Sequence, residues 1–224
     1  NADIFLYNDD PDPTKGWNYP GNNHGSIVEI NGQWYVFYHR HTNKHSFSRQ
    51  ACAERIRIES DGSIKQVEMT SCGLNGGPLA GKGEYEARIA CNLRSRNGVK
   101  FFYSSIKDFN DTDEIHPYFT QEGPDRESNG NQYIANFCEG ALAGFKYFDF
   151  QDVKGISVKI RGDAKGSIIV STSVDGEPAA KIEIEAETNE KEFQAPLVIE
   201  NGVHPLYFTF KGTGRFSFLS FKLF

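Results

Sequence analysis

The sequence predicts an all-β protein in two parts, one four-stranded β-propeller blade followed by a β-sandwich or jelly roll. Three observations lead there. The aromatic share is 13%, from 18 Phe and 10 Tyr against a single Met, and such rings favour pleated, half-buried strands. Gly and Pro, 22 and 9 in number, divide the chain into short segments with turns between them. No stretch keeps the 3.6-residue apolar period of a long helix. The length of 224 residues suits one large β domain, or a small domain with a second piece.

The elements follow in chain order. Residues 1–20 are rich in Asn, Asp and Pro and read as an irregular loop. Ser26–Ile30 is predicted as a strand, and Asn31-Gly32 after it is a strong two-residue hairpin signal. The return strand over 33–39 (QWYVFYH) is continuously apolar, so both of its faces are expected to be covered. A polar loop is expected over 42–48, a strand over 51–59, a tight turn at Asp61-Gly62 and a last strand over 63–69. Four antiparallel neighbours on short turns, apolar on both faces, make one propeller blade. The glycines at 73, 76, 77, 81 and 83 make 73–98 read as a linker, with a short apolar piece over 87–93. Further strands are expected over 118–121, 132–136, 143–150, 156–161, 167–171, 180–184, 192–199, 205–210 and 215–224. Ile156, Val158 and Ile160 alternate with Ser157, Lys159 and Arg161, as in a strand with one buried face. The expected domains are therefore 1–93, blade and linker, and 94–224, sandwich.

Composition excludes some classes. Lys and Arg number 24 against 30 Asp and Glu, a formal charge of -6. Nucleic-acid phosphates would demand a clustered basic surface, and His39-Arg40-His41 with Lys44, His45 and Arg49 is too short for one. No apolar run approaches the roughly 18 residues of a membrane span. The chain opens on Asn1 without Met or a signal peptide, which predicts a processed or truncated product. Cys52, Cys72, Cys91 and Cys138 match no CxxC zinc pattern. Cys52 reads as a buried small hydrophobe, and a Cys72–Cys91 bridge stays open.

Gly21-Asn22-Asn23-His24-Gly25-Ser26, the strand after it, and Gln33 to His39 together resemble the fifth blade of a five-bladed glycoside hydrolase family 43 propeller. Ser48-Arg49-Gln50-Ala51-Cys52-Ala53 and Asp61-Gly62-Ser63-Ile64 fit the same blade, so the likeness covers roughly residues 1–93. Residues 143–150 (AGFKYFDF), 155–162, 166–171, 204–212 and 216–224 resemble a family 6 carbohydrate-binding module. The first resemblance implies a β-xylosidase, α-L-arabinofuranosidase or arabinanase acting on plant cell-wall xylan, arabinan or their oligosaccharides. It implies an extracellular or periplasmic location.

An inverting glycosidase uses one carboxyl group as acid and one as base, about 6.5–9.5 Å apart with a water between them. The resemblance puts those groups on upstream blades, so no catalytic residue is expected in this chain, and the chain alone is expected to be inactive. Asp9, Asp10 and Asp12 lack the family's strand context. His24 matches the family histidine that points along the propeller axis towards a water or metal beneath the sugar, a task that suits a neutral imidazole. Arg49 matches an arginine that reaches the sugar pocket with its fixed charge and forked donors. Three imidazoles at His39, His41 and His45 invite a metal reading, but Arg40 and Lys44 beside them favour a solvated rim. Glycan modules stack an aromatic ring on a sugar, and Tyr118 and Tyr133 are the candidate platforms, with Tyr147 expected in the core. No Trp follows Trp34, and Ser217 and Ser220 stand where the family often has Asn or Asp. No cofactor is required; Glu122 and Asp125 are the candidate calcium ligands. A lone blade leaves apolar faces open, so this one is expected to pack on the sandwich, a second copy or upstream blades. The alternative function is a carbohydrate-binding or purely structural module.

Overall fold

The structure is a computed structural model that describes residues 6–7, 24–99, 115–122 and 132–224. Among these residues there is no α-helix, only two single-turn 3₁₀ segments, Gly73–Asn75 and Ala87–Ile89. The described residues are all-β, as the composition predicts.

The blade region begins with β1 (Leu6–Tyr7), β2 (Ser26–Ile30), β3 (Gln33–Thr42), β4 (His45–Ile56) and β5 (Val67–Glu68). Strands β2, β3 and β4 form an antiparallel three-stranded sheet in sequence order. Asn31 and Gly32 join β2 to β3 with φ of 52° and 78°, the left-handed pair that a two-residue hairpin matching the sheet twist requires. The polar loop expected over 42–48 is shorter. Asn43 and Lys44 take φ of 53° and 54°, and Thr42 already pairs with His45. Asn tolerates the left-handed region, which lets both strands run on to a two-residue tip.

The expected fourth strand is a correction. The turn at Asp61-Gly62 forms, with Gly62 at φ 83°, but its pairing is a single bridge between Ile58 and Ile64. Ile64, Val67 and Met69 instead pack onto a small core of Val36, Tyr38 and Ile56. Their apolar side chains cover the sheet's face and do not extend its ladder. β5 pairs in parallel with β1, so Leu6 and Tyr7 are strand where an irregular loop was expected.

The remaining strands are β6 (Leu79–Ala80), β7 (Gly83–Glu86), β8 (Asn92–Arg94), β9 (Tyr118–Phe119), β10 (Ile134–Cys138), β11 (Leu142–Phe150), β12 (Gly155–Arg161), β13 (Ala164–Ser171), β14 (Pro178–Ala186), β15 (Glu190–Pro196) and β16 (Gly202–Leu223). They build two sheets of a sandwich. One orders β14, β13, the first part of β16 and β11, with β6 and β8 on the far edge of β11. The other orders β15, β12 and the last part of β16, whose other edge takes β10 and β7; β9 pairs with β10.

Two expectations change here. The separate strands over 205–210 and 215–224 are one 22-residue strand that passes from one sheet into the other. The glycines between them mark a bend. A Cβ on Gly212 would lie 2.3 Å from the Lys165 carbonyl oxygen, and one on Gly214 would lie 2.1 Å from that of Asp163. The stretch 73–98, expected as a linker, supplies β6, β7 and β8, so the sandwich begins on the blade side of the expected boundary at 93/94. Ala87, Ala90 and Leu93 are fully buried in the sandwich core. Gly81 is there for close approach, since its Cβ would meet the Asp149 carbonyl at 2.3 Å.

Inward alternation fills the space between the sheets with Phe. Phe145 lies in the middle, its ring 4.8 Å from Phe221, 5.3 Å from Phe208 and 6.1 Å from Phe218, all edge-on. Edge-to-face geometry sets the positive ring edge against the negative face. Phe145→Ala is expected to lower stability by about 3–5 kcal/mol through lost burial and an unfilled cavity. Val198→Ala, at a side chain 80% exposed, should leave it unchanged. Urea unfolding curves of the two variants check both.

Candidate functional site

Directly opposed residues of antiparallel strands share a face of the sheet. His39 opposes Ala51, His41 opposes Arg49, and Arg40 opposes Gln50. Ser26 opposes Phe37, so the same register carried back two residues sets His24 opposite His39. Their rings are 5.7 Å apart between centroids. His24, His39, His41 and Arg49 therefore occupy one face, called here the histidine face. His24 and Arg49 are exposed, and His41 is buried.

Gly25 explains how His24 gets there. A Cβ at position 25 would lie 2.6 Å from the Phe37 carbonyl oxygen, so only glycine lets the chain enter β2 this close to β3. Among the described residues no three His, Cys, Asp or Glu side chains converge as a metal site. His39 and His41 share the expected face, and Lys44 extends over the Tyr118 ring at 4.6 Å.

On the opposite face, Trp34, Val36 and Tyr38 with Cys52 and Ile56 are covered by Ile64, Val67 and Met69, while Arg40 and Thr42 reach the sandwich. Sequence reasoning missed the principal polar residue of that face, Glu54, which is 3% exposed. The Glu54 carboxylate accepts hydrogen bonds from the Thr70 amide at 2.7 Å, the Thr70 hydroxyl at 2.6 Å and the Tyr38 hydroxyl at 3.1 Å. Burial pushes its pKa up to about 7 against those three donors. The signal was available: Cys52, Glu54 and Ile56 recur at the strand period, and a carboxylate in a buried row is informative.

From Thr70 the chain passes straight into the sandwich. The Ser71 amide donates to the Lys146 carbonyl at 2.5 Å, and the Lys146 amide donates to the Ser71 hydroxyl at 3.1 Å. Glu68 accepts from Lys146 Nζ at 2.7 Å and from the Tyr147 hydroxyl at 2.8 Å. Burial opposes the Lys146 charge, but the Glu68 bond outweighs it and the ammonium is held well above its usual range. The blade thus packs on the sandwich, one of the three partners expected for it. β2 is exposed along its whole length, with Ile27, Val28 and Ile30 each 37–40% exposed.

The aromatic candidates are placed differently from one another. Tyr133 is 8% exposed, its ring lies 5.1 Å beneath the Arg161 guanidinium, and its hydroxyl donates to Glu122 at 2.7 Å. It offers no open face to a sugar. Tyr118 is half-buried under Lys44, and Tyr147 is half-buried with its hydroxyl on Glu68. Asp125, the other candidate calcium ligand beside Glu122, lies outside the described residues, as do Asp9, Asp10 and Asp12. All four cysteines are free thiols; Cys72 Sγ lies 3.5 Å from the Lys146 carbonyl and Cys91 Sγ 3.5 Å from that of Gly144. Burial pushes the Cys91 thiol up to about 12, so it is no nucleophile. A groove of about 110 Å³ on the outer face of the second sheet is lined by Glu84, Ser157, Lys159, Glu192, Ser220 and Lys222 over Phe221.

Comparison with known proteins follows the same division. No family model matches the chain. A protein of Thermoclostridium stercorarium named xylosidase/arabinosidase is 48% identical over 223 residues, which are 100% of this chain and 46% of that protein. The chain is homologous to about half of a xylosidase/arabinosidase. Among solved structures, a glycoside hydrolase family 43 arabinoxylan arabinofuranohydrolase from Bacillus subtilis, in complex with cellotetraose, matches at TM-score 0.56 and 19% identity. That match covers 98% of this chain and 43% of the hydrolase. CsCBM6-3 from Clostridium stercorarium, in complex with cellobiose, matches at TM-score 0.50 and 14% identity, over 66% of this chain and 97% of the module. These structures share the fold. The resemblance drawn from the sequence motifs is to the same two groups of proteins.

Glu54 generates a pH prediction. Its folded pKa of about 7 lies above the ordinary 4.5, so the folded state holds the proton more tightly than the unfolded chain. Stability is therefore expected to fall as pH rises from about 4.5 to about 7, by roughly 3 kcal/mol for this group. Glu54→Gln keeps an acceptor for Tyr38 and removes that slope. Urea unfolding at pH 5 and pH 8 measures the difference.

Proposed function

We propose that this chain is the C-terminal portion of a family 43 glycoside hydrolase that acts on arabinose- or xylose-containing plant polysaccharides or oligosaccharides. The observation that carries the reading is 48% identity to a xylosidase/arabinosidase over 223 residues, 100% of this chain. The reaction is inverting hydrolysis, in which one carboxyl group protonates the leaving oxygen and another activates a water on the opposite face of the sugar. Both carboxyl groups belong to upstream blades. The chain spans about half the length of its curated relative, which leaves room for them.

In this reading the histidine face is the chain's contribution to the pocket. His24 would hold a water or metal beneath the sugar through an imidazole nitrogen, and Arg49 presents forked donors to sugar hydroxyls or to the catalytic carboxylates. The shared face of His24 and Arg49 supports their acting together. No organic cofactor enters the reaction. The sandwich is read as a structural partner of the blade, because Tyr133 is buried and the β3–β4 tip and Glu68 are tied into it. The setting is extracellular or periplasmic, where such polymers are met.

The longer protein is expected to hydrolyse nitrophenyl arabinoside or xyloside, and the 224-residue chain is not. In the longer protein, Arg49→Ala is expected to lower kcat/KM about 10- to 100-fold, the loss of a charged hydrogen bond in the transition state. Hydrolysis by the chain alone would overturn the upstream placement of the acid and base. Retarded migration in gels containing arabinan or xylan would restore glycan binding to the sandwich.

A further inference from the structure

Arg40 lies between the two functions of its strand. Its neighbours His39 and His41 occupy the histidine face, while its own side chain leaves from the other face and enters the sandwich. Every donor nitrogen of the guanidinium is used there. Nε donates to Gln50 Oε1 at 3.0 Å, and the two terminal nitrogens donate to the carbonyls of Ala90 and Arg88. The guanidinium carbon lies over the Phe119 ring, 3.6 Å from its centre. Gln50, its direct partner on β4, also donates to the Arg88 carbonyl, at 3.3 Å.

The socket belongs to the sandwich core. The two acceptor carbonyls lie at the 3₁₀ turn Ala87–Ile89, whose Ala87 and following Ala90 are fully buried there. Beyond Arg40 the hairpin tip is held as well. The Asn43 amide donates to the Phe119 carbonyl at 2.7 Å, and its side chain exchanges hydrogen bonds of 2.7 and 2.8 Å with the Gln121 backbone.

We propose that Arg40 is a positioning residue: seated on the Arg88 and Ala90 carbonyls and the Phe119 ring, it fixes the hairpin whose other face presents Arg49 and backs His24 at the sugar pocket. The inference rests on the pocket role given to Arg49 and His24 above. Its physical basis is the pleat. Arg40 and Arg49 are diagonal neighbours on paired strands, and their side chains leave opposite faces, so a shift of one backbone moves the other. A misplacement of about 1 Å at a reacting group can cost as much as hundredfold in rate. Lysine cannot take the place of Arg40, since a point charge on a single nitrogen cannot bond both carbonyls and also cover the ring.

A double-mutant cycle in the longer protein tests this, with Arg40→Ala, Arg49→Ala and both together. Arg40→Ala is expected to lower kcat/KM roughly tenfold to hundredfold. In the Arg49→Ala background it should cost little more, because residues acting as a unit are not additive. Millimolar guanidinium should restore Arg40→Ala and ammonium should not; Arg40→Lys should remain impaired. In the 224-residue chain, hydrogen exchange reads the holding directly: Arg40→Ala should speed exchange of amides in 39–51 and leave those of β12 unchanged. Phe119→Leu, which keeps the carbonyl bonds, should give a smaller effect of the same sign. Full activity of Arg40→Ala, additive losses in the cycle, or unchanged exchange over 39–51 would each overturn the proposal. An inactive role for Arg49 would sink the pocket reading instead, and the exchange measurement would still decide whether Arg40 holds the hairpin.

Discussion

The register between β3 and β4 is the constraint on which the blade depends. A one-residue slip would exchange the two faces and bury Arg49 against the sandwich while exposing Glu54. Glu54, with its three donors, and Arg40, with its carbonyl acceptors, each find partners on one side only. Polar groups thus enforce a pairing that the apolar run of β3 leaves undetermined, because that run is hydrophobic on both faces. The buried carboxylate weakens the fold above neutral pH, and in return it admits a single alignment of the strands.

The same division joins fold to function. One face is committed to packing, through Tyr38 and Glu54 on Thr70 and through Arg40 on the sandwich, which frees the other to carry imidazoles and a guanidinium. The segment after β4 lies over the committed face and closes its core with Ile64, Val67 and Met69. Glu68 and Ser71 then engage β11 within a few residues, so the passage from blade to sandwich has no slack. The two parts behave as neighbours with a fixed orientation.

Much of this was legible in the sequence where local chemistry decides structure. Asn31-Gly32 can hardly do anything but turn, and the Ile156–Ile160 alternation reports a one-sided strand. Reading failed where tertiary packing overrode local signals. Glycines at 73–98 looked like slack and instead serve close backbone approach, as Gly81 against Asp149 shows. The stretch 211–214 read as a gap between two strands, and its Gly212 and Gly214 instead sit inside one strand that passes between two sheets. The apolar positions 64, 67 and 69 looked like a ladder strand and instead cover a face, because periodicity reveals which side chains are buried and not what they are buried against. Arg40 and Glu54 carried a weaker signal, a charge in an apolar row, whose meaning needed the partner domain.

The shared strand β16 has a consequence for how the sandwich comes into being. Its 22 residues stand at the middle of both sheets, between β13 and β11 in one and between β12 and β10 in the other. During synthesis, every other strand of the sandwich emerges from the ribosome before the one that joins them. Until then β11, β12 and β13 have exposed edges and a row of phenylalanines without a facing layer. The domain must therefore fold after translation of its last segment, in a single cooperative closure, and a nascent chain is most vulnerable to aggregation just before that point.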